Sequence, residues 1–488
     1  MSKFRALDIF KPFVGIVPEI ELPYEKVVFD EKIVYTIGIS ALYLLSSLPI
    51  SGVNPNKIAD PFNWLRLPFA SEAGTLLEFG VLPVLTSAFF WQILSGLKIV
   101  KINFNNLSDR STFQSLQKIS AVLIALIYAT ILAISGYFRP IDFFSYQNSL
   151  NSTTSILWSN ILIIAQLTTS TAIVTLLVEL LEKGYGFGPG VMVFITVSAA
   201  TKFTGSLFGF ITNIKSFESN GVIVQLFKNL FNKPLTTGIY SLFNRTDEVN
   251  FTQVYLTIIV VLILTYIQNF RMDISIKSTK VRSMVSTYPI RLFYCGALPI
   301  LFSYTIIYNL NIITFALTKI FGGSNLIANW EIDSLTNNTY YLTSGLLYFI
   351  SGSSYYSNFL SYIGKIIAFT AFTTFTSAIF GRYWYAMSGS TGKDLAKQFK
   401  EQDIVVVGHR DATVAKELNK LISSSSLIGA TILGAVIGLA ESTGLSKGLA
   451  VGVTTGLLCA LSLLENVMSE YQQSGSVNSQ FAQVFGTN

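Results

Sequence analysis

Residues 74–94 constrain this chain more than any other stretch. The run is apolar and long enough to enter a bilayer as a helix, which takes roughly 20 such residues. A plain anchor would not carry Glu78 one turn in, Gly80 and Pro83 as interruptions, and Thr86, Ser87 and Gln92 beyond them. Polar groups at membrane depth are costly and normally face a bundle interior or a wet cavity. The residues leave two readings: a kinked helix packed through small side chains, or an interrupted helix beside a pathway.

Composition settles the class. The 488 residues are 51% hydrophobic and 12% charged, with a mean hydropathy of +0.53. A soluble chain carries about a quarter charged residues. The expected fold is an all-α polytopic membrane protein with ten spans, near 33–50, 75–94, 119–135, 156–181, 189–211, 251–270, 296–320, 363–385, 427–440 and 449–464. The ninth is short, and 346–356 is a weaker apolar stretch that would re-enter without crossing. Cys295 and Cys459 lie in apolar runs and form no disulfide or metal pattern. The first apolar run follows a polar segment with Lys3, Arg5, Lys11, Lys26 and Lys32, the wrong flanks for a cleaved signal. With the N-terminus cytosolic, 22 of the 33 Lys and Arg fall on the cytosolic side, so both termini are expected there.

Several segments between spans stand out. Phe4, Leu7 and Phe10 have helical spacing ahead of Pro12, as in a short interfacial helix. Residues 51–71 are turn-rich, with Asn54, Pro55, Asn56 and Pro61, yet carry Phe62, Trp64, Leu65 and Leu67. The Gly-rich run 184–190 lacks the Lys-Ser/Thr of a phosphate loop. Two basic loops, 271–294 and 387–420, hold Lys280, Arg282, His409 and Arg410; alone, they also fit ordinary positive charge near anionic lipid. With a single histidine, metal or triad chemistry has no basis. Asn-X-Ser/Thr triplets start at Asn106, Asn151, Asn244, Asn250 and Asn337. Residues 471–488 read as a disordered polar tail.

Gly74-Thr75-Leu76-Leu77-Glu78 with Gly80, Pro83, Ser87 and Gln92 resembles the second membrane helix of the SecY/Sec-sixty-one alpha family. The hinge at 179–190 and both basic loops follow in the family's order, so the resemblance covers nearly the whole chain. Within the family the chain is most like the fungal second-channel branch. Pro189 departs from the usual Gly-Ser-Gly-Ile-Ser hinge.

The resemblance implies a SecY-like channel of two pseudo-symmetric halves of five helices, 1–212 and 250–470. A lumenal loop at 213–249 would join them, and a plug would lie at about 51–71. It implies a pore ring of Val81, Leu85, Val191, Ile195, Leu301 and Thr455, with Thr455 making one side more polar. It implies a lateral gate with Thr86, Tyr128 and Asn309, and ribosome contacts at Lys280, Arg282, His409 and Arg410. The implied function is cotranslational translocation and sideways release of nascent polypeptides at the endoplasmic reticulum. No catalysis, cofactor or metal is implied. Partners would be single-span beta and gamma subunits, the large ribosomal subunit with its RNA, nascent chains and lipid. The alternative, a secondary transporter of small solutes, calls for a convergent polar site at the midplane.

Overall fold

The computed structural model describes residues 18–53, 60–97, 99–100, 107–138, 152–212, 218–232, 234–243, 245, 249–278, 285–323, 325–332, 340–352, 359–387, 391–401, 403–408 and 411–473. Helices dominate. The first half holds α1 (Phe29–Leu45), the short α2 (Asn63–Arg66), α3 (Leu82–Gly96), α4 (Leu107–Ile134), α5 (Ser152–Leu180) and α6 (Gly190–Phe208). A hairpin of α7 (Val222–Asn232) and α8 (Leu235–Phe243) leads into α9 (Phe251–Gln268). Then come strands β1 (Arg271–Ser278) and β2 (Val285–Arg291), helix α10 (Leu298–Phe321), and strands β3 (Asn329–Ile332) and β4 (Tyr340–Ser344). The chain closes with α11 (Phe359–Met387), α12 (Gly392–Glu401), β5 (Ile404–Val406), α13 (Asp411–Ser442) and α14 (Leu449–Gln473).

Eight of these helices are long and apolar enough to cross a membrane. The shorter apolar helices α1, of 17 residues, and α3, of 15, occupy the first and second expected spans. Helices α4, α11, α13 and α14 run past the expected limits, whereas α6 and α9 end two or three residues short of them. The ninth, α13, is 32 residues long and runs through its serines: Ser426 is buried and bonds the Gly381 carbonyl, while Ser424 is exposed. Residues 346–350 form a 3-10 turn beside the β3–β4 hairpin, with Leu347 and Tyr348 buried. The central helix is α10. Two thirds of its apolar window is buried, against less than half for every other span, because other helices rather than lipid surround it.

The second span begins later than its apolar run. Residues 75–81 form turns, and the helix starts only at Leu82, with Pro83 in its first turn. Proline is tolerated there because its missing N–H would have no helical partner. Gly80 sits at φ +51, and a Cβ there would fall 2.3 Å from the Phe69 carbonyl oxygen. The irregular backbone therefore lies against protein, where its polar groups find partners. At the Gly-rich hinge, Pro189 is the N-cap of α6 rather than part of its first turn. The expected helix at 3–10 lies outside the described residues, as does the tail beyond 473.

Candidate functional site

The segment 60–71 is the hub. Its short helix α2 and the 3-10 turn Leu67–Phe69 are almost entirely buried. Trp64 lies edge-on to Tyr304 of α10 and Phe369 of α11, with ring centroids 6.3 and 6.2 Å away. Phe69 stacks on Tyr308 at 5.4 Å, and Phe62 meets the same ring edge-on at 5.5 Å. The Tyr43 hydroxyl of α1 donates to the Ala70 carbonyl at 2.7 Å, and Lys202 of α6 donates to the Ser71 carbonyl at 2.7 Å. On α14, a Cβ at Gly452 would strike Leu67 at 2.1 Å, so glycine there lets helix and segment touch. One short stretch thus contacts helices from both halves of the chain. Its aromatic residues account for the apolar character that a solvated loop would not need.

A charge cluster locks that segment in place. Arg66 is 3% exposed and donates to Asp60 at 2.5 and 3.0 Å, to the Glu78 carboxylate at 2.5 Å and to the Glu78 carbonyl at 3.0 Å. Its Nη2 also reaches the Tyr137 hydroxyl at 2.8 Å, and that hydroxyl donates to Glu78 at 2.9 Å. The other Glu78 oxygen accepts the Gly74 N–H at 2.6 Å. Buried charges persist only when paired and fully hydrogen-bonded; both Arg66 and Glu78 meet that condition. The sequence reading missed this cluster. Its signal was an arginine and three carboxylates, Asp60, Glu72 and Glu78, within a largely apolar stretch of 19 residues, 60–78.

The apolar members of the expected ring lie in the same core as this segment. Val81, Leu85, Ile195 and Leu301 share one continuous buried apolar cluster with Phe62, Leu65 and Phe69, and Val191 packs on its edge. Val81 is the N-cap of α3 rather than a residue within the helix. Thr455 is fully buried on α14, and its hydroxyl donates to the Val451 carbonyl of its own helix at 2.7 Å. That bond leaves Thr455 with less free polarity than the residue type suggests. Alongside, Thr196 of α6 donates to Gly456 of α14 at 3.4 Å.

The three expected gate residues meet. The Tyr128 hydroxyl of α4 bonds Oδ1 of Asn309 on α10. Nδ2 of Asn309 points to the Thr86 hydroxyl of α3 at 3.4 Å and donates to the Thr305 carbonyl at 2.9 Å. Thr86 itself donates to its own helix at Leu82, 2.8 Å away.

The two basic loops fold into one body. Strands β1 and β2 pair antiparallel, and β5 from the second loop adds to the free side of β1, with Ile276 opposite Val406. Helix α12 and the start of α13 cover the sheet through Phe399, Val414, Leu418 and Ile422. Thr391 and Asp394 bond reciprocally at the start of α12, a capping-box arrangement. Lys393, Lys397 and Lys400 are exposed along it. Lys280, Arg282, His409 and Arg410 lie outside the described residues.

Comparison with known proteins agrees with this architecture. The SecY family model matches residues 75–468, and that of the plug domain of Sec61p matches residues 42–74. The Saccharomyces cerevisiae Sec sixty-one protein homolog is 37% identical over 504 residues, covering 100% of this chain and 99% of the relative. The SEC61 subunit alpha of Candida albicans is 33% identical, covering 93% and 95%. Among solved structures, a protein-conducting channel superposes with a TM-score of 0.76 at 20% identity, covering 96% of this chain and 99% of the other. The idle yeast Ssh1 complex bound to the yeast 80S ribosome gives 0.73 at 33% identity, covering 100% and 99%. The small-solute transporter reading finds no support in these relatives. A central plugged helix bundle with these relatives over its full length belongs to the SecY family of protein-conducting channels.

Proposed function

We propose that this chain works in the endoplasmic reticulum membrane with both termini cytosolic. There it passes nascent polypeptides from a docked ribosome and releases hydrophobic segments sideways. The carrying observation is the Tyr128–Asn309–Thr86 contact, in which one amide ties three spans across an otherwise apolar seam. Such a seam separates at modest cost, as a lateral gate must. The ring of Val81, Leu85, Val191, Ile195, Leu301 and Thr455 would seal the path by dewetting, which blocks ions without gripping any peptide sequence.

The joined β1–β2–β5 sheet supports docking, because it carries both basic loops on one packed body. Lys280, Arg282, His409 and Arg410 would meet ribosomal RNA there. The relative solved on a ribosome supports this partner. Small single-span beta and gamma subunits would complete the complex, and the excess of Lys and Arg on one side supports the orientation.

The test is site-specific crosslinking from a stalled nascent chain. Photoreactive residues along the chain should label the six ring positions. Labelling instead of Leu262 and Ile367, which are 62% and 63% exposed on the outer surface, would remove the ring assignment.

A further inference from the structure

The hairpin of α7 and α8 is built inside out. Its buried side is polar. Gln225 and Asn229, 6% and 4% exposed, form a closed chain of hydrogen bonds. Ser219 donates to Gln225 through both N–H and hydroxyl at 2.9 Å, Gln225 donates to Asn229 at 3.0 Å, and Asn229 donates to the Gly238 carbonyl at 3.1 Å and to Ser241 at 3.0 Å. Arg245, 4% exposed, closes the base through Glu218 at 3.0 Å, the Ser219 carbonyl at 2.6 Å and the Val249 carbonyl at 3.1 Å. The outward side is mainly apolar: Phe227 is 56% exposed, Leu230 42%, Phe231 88%, Ile239 40%, Tyr240 69% and Phe243 44%, while the exposed polar residues Asn232, Thr236 and Thr237 sit near the turn between the helices. On α7, Phe227, Leu230 and Phe231 recur at helical spacing and so form one stripe. A water-exposed hairpin would show the reverse arrangement.

Its position says what covers that face. Gly221, one residue before α7, donates to the Gly209 carbonyl at 2.9 Å, just past the end of span α6. At the other end, Phe243 packs edge-on against Phe251, the first residue of span α9, at 5.3 Å. Both ends of the hairpin are thus fixed where membrane-spanning helices terminate. The exposed Phe208, Phe210 and Ile211 carry the lipid-facing surface of α6 up to it.

We propose that α7 and α8 lie in the bilayer interface, on the membrane face opposite the β1–β2–β5 sheet, with Phe227, Phe231 and Tyr240 in the acyl-chain boundary. Helices with a strong apolar face bind bilayers in this plane, that face buried by about 5–10 Å. Val222 at the start of α7 shares a buried cluster with Leu67, Val254 and Leu449. The interfacial hairpin is thereby packed against the plug segment and the tenth span.

The test uses the full-length channel in phosphatidylcholine proteoliposomes. Phe231→Cys and Tyr240→Cys carry an environment-sensitive fluorophore, and Lys397→Cys, 77% exposed on α12, is the aqueous control. Shallow spin-labelled lipid should quench positions 231 and 240 at least threefold more than position 397, and iodide should do the opposite. Iodide quenching at 231 and 240 equal to that at 397, with no effect of the lipid quencher, would overturn the proposal. Shielding that appears only in native membranes and not in these liposomes would also overturn it, since a protein would then cover the face.

Discussion

Tyr128 of α4 and Asn309 of α10 are hydrogen-bonded across the seam between the third and seventh spans. Asn309 also bonds its own helix at Thr305, so removing it has two effects. Tyr128→Phe removes only the interhelical bond. Such bonds in membranes are worth about 0.6 kcal/mol on average and up to about 1.7 kcal/mol. We expect Tyr128→Phe and Asn309→Leu to shift the closed–open balance about threefold to about twentyfold at these energies. The readout is the hydrophobicity at which signal sequences engage the channel, measured with a graded reporter series at matched protein levels. A shift in Asn309→Leu alone would assign the effect to helix packing, and no shift in either would take both residues out of the gate.

Arg66 and Glu78 predict the cost of opening. Both are buried, and removing one partner of such a pair costs about 3–5 kcal/mol, because a charge is left behind. Arg66→Met should therefore loosen the plug segment and raise resting ion conductance in planar bilayers at least tenfold. Arg66 also pairs with Asp60, so the triple variant Asp60→Asn/Arg66→Met/Glu78→Gln is the one that leaves no unpaired charge in the cluster, and it should recover much of the seal. Resting conductance unchanged in Arg66→Met would mean that the segment is held by its aromatic contacts at Tyr304 and Tyr308 alone.

Much of this was legible in the sequence, for reasons that also explain what was not. Apolar runs mark spans because lipid demands them, so ten were found. Their ends were less clear, since hydropathy counts Ser423 to Ser426 against a helix while the fold turns Ser426 inward to Gly381. Residues 75–81 scored as helix because periodicity cannot register a φ of +51 at Gly80, set by contact with Phe69. The meeting of Thr86, Tyr128 and Asn309 followed from family motif positions, not from spacing. The pairing of Ile276 with Val406 joins segments 130 residues apart, and no local pattern announces it. The inverted α7–α8 hairpin stayed hidden because its apolar stripe alone reads like an ordinary amphipathic helix.

Docking makes a separate prediction through salt. Phosphate contacts release counterions, so the logarithm of affinity falls linearly with the logarithm of salt concentration. Arg282→Glu and Arg410→Glu should each weaken ribosome binding and flatten that slope by about one phosphate contact. Membrane insertion should be unchanged, because among the described residues the sheet is held by the apolar core of Phe399, Val414, Leu418 and Ile422. Cosedimentation with ribosomes at several salt concentrations reads both quantities. Unchanged affinity and slope in both variants would leave the loops as ordinary positive charge facing lipid.

The ring predicts an asymmetry among its own members. Dewetting depends on how many apolar surfaces meet at the constriction. Ile195 and Leu301 are 0% and 1% exposed within the central apolar cluster. Exchanging either for serine introduces a hydroxyl where water is excluded. Thr455 already has its hydroxyl committed to the Val451 carbonyl. Thr455→Val removes a polar group whose hydrogen is already engaged with its own helix, and keeps the shape. We expect Ile195→Ser and Leu301→Ser to raise resting ion current severalfold in reconstituted channels, and Thr455→Val to change it by less than about twofold. The same recordings with the plug loosened by Arg66→Met separate the two barriers. If the apolar ring and the segment 60–71 act as independent barriers, ring variants should then add to the leak. If Thr455→Val tightens the seal as strongly as the serine variants loosen it, the hydroxyl faces the pore and its bond to Val451 does not persist in the membrane.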